Sequence, residues 1–173
     1  RNILNQELVT YIVLGSESRL KNIKLPLANK YEEYLLANFS SNTSYQNQLD
    51  DLVTRSKGEV VVFLPPSSFP NIEAKEALKK IALIGLSSWG WFEYSLKRKN
   101  ILQNIKKITT LVRSIPDIEQ GIFFTKRLYF SIGGSGSFSS ETFSEISKRL
   151  YSRIDPQKPL PALIIRTKNL KLN

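Results

Sequence analysis

An α/β fold, with a mostly parallel central sheet of about five strands flanked by helices, is predicted by three observations. Five short runs rich in β-branched or aromatic residues alternate with segments of helical periodicity, the pattern of strand–helix–strand units. Val60-Val61-Val62-Phe63-Leu64 is apolar at every position, as a strand covered on both faces requires. The chain has 173 residues, 41% hydrophobic and 23% charged, which is enough for a proper core and suits a single domain over residues 1–173.

Val9–Leu14 reads as the first strand, and it runs into the small, polar Gly15-Ser16-Glu17-Ser18. Leu27–Phe39 is predicted as a helix, because Leu27, Tyr31, Tyr34, Leu35 and Phe39 recur at helical spacing. A shorter helix over Gln46–Ser56 stops at Gly58. Val60–Leu64 is expected at the centre of the sheet. Asn71 is placed to cap a helix over Ile72–Lys80, with Glu73 and Glu76 towards its positive end and Lys79-Lys80 towards its negative end. Ile81–Leu86 reads as a strand, although so short a run could also finish the preceding helix.

The second half continues the alternation. Lys97–Arg113 carries Ile101, Ile105, Ile108 and Val112 on one helical face. Ile122–Ile132 reads as the fourth strand. Ser140–Ile154 is predicted as a helix burying Phe143, Ile146, Leu150 and Ile154, with Glu145 and Arg149 paired one turn apart. Three prolines in Asp155–Pro161 end that helix, and Ala162–Thr167 returns as a strand.

Composition excludes several chemistries. The chain has no histidine and no cysteine, so Ser-His-Asp and Cys-His nucleophiles, His or Cys zinc sites, iron–sulfur clusters and disulfides are all ruled out. The acids are scattered, no catalytic residue stands out, and neither a metal nor a cofactor is expected. Asp50 and Asp51 are adjacent, so on a helix their side chains diverge by about 100°. Many serines and lysines are present, but no spacing singles out a Ser–Lys pair.

Charge points to a partner class. Residues 1–60 hold seven basic and seven acidic side chains, so the whole net charge of +10 falls on residues 61–173. Such asymmetry favours an anionic partner: RNA or a ribonucleoprotein, an acidic protein, or an anionic membrane surface. Within that half, Lys99, Lys106 and Arg113 form a stripe opposite the isoleucine face, with Lys97, Arg98 and Lys107 beside it. A solvated helix face is the plain explanation, and phosphate contact the functional one.

Two further clusters stand out. Gly133-Gly134-Ser135-Gly136-Ser137-Phe138-Ser139-Ser140 joins a strand to a helix. It lacks the Lys-Ser/Thr ending of a P-loop, and Ser139 stands where a dinucleotide fingerprint needs its third glycine. Gly133, Gly134, Ser135, Gly136, Ser137, Ser139 and Ser140 are therefore candidates either for an anion cradle or for a connector capped by serine. Trp89, Trp91 and Tyr94 crowd around Glu93, and offer either stacking faces or core packing.

The chain begins at Arg1 and contains no methionine, which fits a trimmed product whose upstream targeting or anchoring segment has been removed. No apolar run reaches the roughly 18–20 residues of a membrane span. Ile81–Phe92 comes nearest, and its flanking Lys79-Lys80 and Lys97-Arg98-Lys99 would suit a segment lying at a membrane surface. The expected location is soluble or peripheral to a membrane. On balance the sequence predicts a non-catalytic binding or assembly component that docks through its basic later two-thirds. The alternative is a transferase or hydrolase acting on a phosphorylated small molecule, bound at the Ser/Gly-rich strand-end loops Gly133–Ser140 and Ser87–Ser88.

Overall fold

In the computed structural model the described residues are 8–38, 45–66, 68–93, 116, 120–136, 143–160 and 163–165. The helix predicted over Lys97–Arg113 lies outside them, with its stripe Lys97, Arg98, Lys99, Lys106, Lys107 and Arg113. So do Tyr94, Ser137, Ser139 and Ser140.

The elements in chain order are β1 (Val9–Gly15), α1 (Glu17–Lys21), β2 (Glu32–Asn38), α2 (Tyr45–Arg55), β3 (Val60–Leu64), β4 (Ser68–Pro70), α3 (Ile72–Ile84), β5 (Trp89–Trp91), β6 (Ile122–Thr125), α4 (Lys126–Ser131), α5 (Ser144–Tyr151) and β7 (Leu163–Ile165). Five strands form one open sheet in the order β2-β1-β3-β6-β5, and β4 and β7 form a separate pair. The α/β class stands, but the sheet is mixed and not mostly parallel. β1 pairs parallel with β2 and β3, whereas β6 runs antiparallel to both β3 and β5.

Every side chain of β3 is buried, which explains its unbroken apolar sequence. Alternate residues feed two cores. Val9, Tyr11, Val13, Val60, Val62 and Phe123 join Leu20 of α1 and Ala74, Leu78 and Ala82 of α3. On the opposite face Ile12, Leu14, Val61, Phe63 and Phe124 meet α2, α4 and α5 through Leu52, Tyr129, Ile146 and Leu150. Phe143 is buried as expected, but it caps α5 in the left-handed conformation (φ 68°) instead of lying within the helix.

Four elements differ from expectation. The described part of the expected Leu27–Phe39 helix, residues 27–38, is not helical: Leu27 is 97% exposed, and residues 32–38 pair with β1. Tyr34 packs on one core and its neighbour Leu35 on the other, which a strand allows and a helix does not. Ile81–Leu86 is not a strand. It completes α3, whose start is capped by Asn71 Oδ1 accepting from the Ala74 N–H at 2.8 Å. Gly85, at φ 71°, closes its end.

Ile122–Ile132 divides into β6 and α4. Thr125 pairs with Val60, the first residue of β3, so the strand ends where its partner begins. Leu163–Ile165 is a strand, but it pairs with β4 outside the main sheet. Trp89–Trp91 is instead the edge strand. Gly90 is needed there, because a Cβ would sit 2.8 Å from the Phe123 ring. The segment before Pro161 covers part of this edge, with Gln157 and Leu160 N–H groups donating to Trp89 and Trp91 carbonyls.

Candidate functional site

The sheet has two unlike ends. Strands β1, β2 and β3 all finish at one, here the carboxyl edge; the register of β5 and β6 places Trp91 and Ile122 at that same edge, beside Phe63. Strand order reverses at β1. The chain passes from β1 through α1 to β2 on one side, then through α2 to β3 on the other, and α1 and α2 pack on opposite faces. Helices that diverge in this way leave a crevice above the strand between them, where ligands of open α/β sheets bind.

Small residues line that position. Gly15 ends β1, and a Cβ on it would press the Pro66 ring at 2.9 Å and the Leu20 side chain at 3.3 Å. The turns after β1 and β3 therefore touch, through a glycine and a proline. Ser16 and Ser18 hydroxyls lie 3.1 Å apart at an exposed position. Further along the edge, Gln120 is buried and its carbonyl accepts from the Phe92 N–H at 3.2 Å. Glu93 follows, its N–H held by the Leu160 carbonyl at 3.0 Å.

The described part of the second glycine cluster is built differently. Gly133, Gly134 and Gly136 all have positive φ, which lets the chain fold back on α2 after α4. There it meets a carboxylate. Tyr129 Oη donates to Asp50 Oδ1, and the Ser135 N–H approaches the same oxygen at 3.3 Å. A Cβ on Gly134 would lie 2.5 Å from that oxygen. Burial, followed by the hydrogen bond to Asp50, pushes the Tyr129 phenol above its ordinary pKa, so it donates as a neutral hydroxyl. Arg149 ties the turn to α5, pairing with Glu145 at 3.2 Å and reaching the Ile132 carbonyl at 3.4 Å. The Gly133–Gly136 turn thus holds an anion of the protein's own, and an added phosphate there would face Asp50.

The aromatic cluster divides as well. Trp89 and Trp91 are buried at 0% and 4% exposure, with their rings 5.8 Å apart. Trp89 Nε1 donates to the Ile154 carbonyl at 2.9 Å. Neither indole offers a face to solvent, because both are spent on joining the edge strand to the helix layer. Ser87 and Ser88 precede β5 and so lie at the amino edge, away from Gly15 and Pro66. The strand-end loops are therefore not one site.

Among the described residues no group of three Asp or Glu side chains could hold a metal. No described helix is long and apolar enough to cross a membrane. Asp50 is the site residue that sequence reasoning set aside. Its sole sequence signal was its polar identity on the amphipathic α2, and its partners come from residues about 80 positions later. No family model, curated protein or solved structure matches the chain.

Proposed function

We propose that the protein is a transferase or hydrolase of phosphorylated small molecules, with its ligand held at the carboxyl edge beside β1. The reversal of strand order at β1 carries this reading, through the general behaviour of open α/β sheets.

The half-buried Ser16 and exposed Ser18, next to the tightly packed Gly15, support it, since they bring hydroxyl donors to this edge. Glu93 lies on the same edge, just beyond β5. Three strand spacings, about 14 Å, separate β1 from β5, so a ligand spanning both would be extended.

A titration with a panel of nucleotides and sugar phosphates tests the reading. Saturable micromolar binding of one small phosphate is expected, little changed by moderate salt. Binding to none of them would overturn it.

The concentration of the whole net charge of +10 in residues 61–173 favours a second reading, a binding or assembly component for an anionic macromolecule. Its signature would be binding to RNA, acidic protein or anionic vesicles that weakens steeply with salt. Lys99→Glu with Lys106→Glu should then weaken binding and flatten its salt dependence, more than Lys21→Glu with Lys24→Glu. Equal losses from the two pairs would count against it.

A further inference from the structure

The amino edge of the sheet carries an exposed apolar tip that the small-ligand reading does not use. Leu83, Ile84 and Leu86 are 53%, 67% and 70% exposed. They surround Gly85, whose left-handed backbone caps α3 and beside which a Cβ would find no atom within 4 Å. The tip therefore stands clear of its surroundings. A shallow cavity of about 290 Å³ opens at its base, lined by Ile81, Thr125, Glu59 and Arg127.

Two cations flank the tip. Lys80 lies one turn before Ile84 on α3 and Arg127 lines the cavity, and both are exposed. Glu59 is the exposed acid in the cavity wall, while Glu76 on α3 is already engaged by Lys79 at 2.6 Å. Aliphatic side chains flanked by cations match a surface with phosphates outside and acyl chains beneath. Docking of a second copy by this patch would bring the same cations together, at a repulsive cost.

We propose that the Leu83–Leu86 tip inserts into the headgroup–acyl boundary of an anionic bilayer, with Lys80 and Arg127 on lipid phosphates. The inference is independent of ligand binding at the carboxyl edge. It also differs from docking through Lys97–Arg113, because it names other residues and requires apolar insertion.

Flotation with phosphatidylcholine vesicles, with and without one-third phosphatidylglycerol, tests it. The protein should float with the anionic vesicles alone. Leu83→Ser, Ile84→Ser and Leu86→Ser together should lower the bound fraction about tenfold or more, given the transfer energy of exposed aliphatics. Leu86→Glu, outside the helix, should act in the same direction and guards against a folding defect in the triple variant. Lys80→Glu with Arg127→Glu should also release the protein. Failure of the unaltered protein to float would overturn the proposal, as would flotation unchanged by the apolar variants. A dimer by light scattering that the triple variant converts to monomer would assign the tip to self-association instead.

Discussion

Two turns of similar composition, Gly15–Ser18 and Gly133–Gly136, do different work. The first ends β1 at the carboxyl edge, with the half-buried Ser16 beside the exposed Ser18. The second is folded onto α2, and its Ser135 N–H donates to Asp50. Glycine and serine permit close approach in both. What approaches differs: in the first turn it is the apolar Pro66 ring and Leu20 side chain, with the serine hydroxyls left beside them, and in the second it is the protein's own carboxylate. A Gly/Ser turn is therefore evidence of tight packing, and only its surroundings say against what.

The largest effect should come from filling the closed turn. Gly134→Val puts a β-branched residue at φ 84° and into the Asp50 carboxylate, and about 3 kcal/mol of stability should be lost in a denaturant titration. Asp50→Ala should cost about 1–3 kcal/mol, since Tyr129 Oη and the Ser135 N–H each lose an acceptor. If Gly134→Val proved neutral, the turn would not be closed and the contrast would fail.

Buried phenols in both cores give the fold a pH signature. Burial raises the phenol pKa values of Tyr11, Tyr45 and Tyr129 above their ordinary value. A phenol harder to ionise in the folded state than in the unfolded one contributes stability that is fully present below about pH 10 and is lost as pH rises beyond it. Alkaline unfolding should start there. Tyr129→Phe should remove part of that dependence.

At the open turn the expected outcome is reversed. Ser16→Asp with Ser18→Asp should leave stability within about 0.5 kcal/mol, because Ser18 is exposed and the half-buried Ser16 makes no side-chain cap to α1. Binding of a small phosphate should nevertheless fall about tenfold or more, as two carboxylates meet the anion. Loss of stability without loss of binding would make this turn structural too. The smallest effect is expected from Glu145→Gln, which removes a half-exposed ion pair with Arg149 worth under about 1 kcal/mol.

Much of the fold was legible in the residues themselves. Val60–Leu64 reads as a doubly covered strand because each of its side chains is apolar, and it lies at the centre of the sheet. Asn71 reads as a cap because its side chain can satisfy a helix N–H locally. α2, with Leu49, Leu52 and Val53 buried, follows from its own periodicity. These elements depend on interactions within a few residues, or on how many faces are covered, and sequence records both.

The tertiary structure decided what depended on distant partners. Tyr34 and Leu35 fit a helical spacing, but pairing with β1 made them neighbours on opposite faces of a strand. Ile81–Leu86 has β-branched residues, yet burial of Ala82 on α3 and the free turn at Gly85 kept it helical to Ile84. The antiparallel direction of β6 follows from its pairing with β3, about which local composition says nothing. Asp50 joins Tyr129 and Ser135 only after α4 has returned the chain to α2. Local propensity selects among conformations of a segment by fractions of a kcal/mol per residue. Burial of whole side chains against a partner is worth several times more, and it determined both which way the sheet runs and which glycine turn stays open.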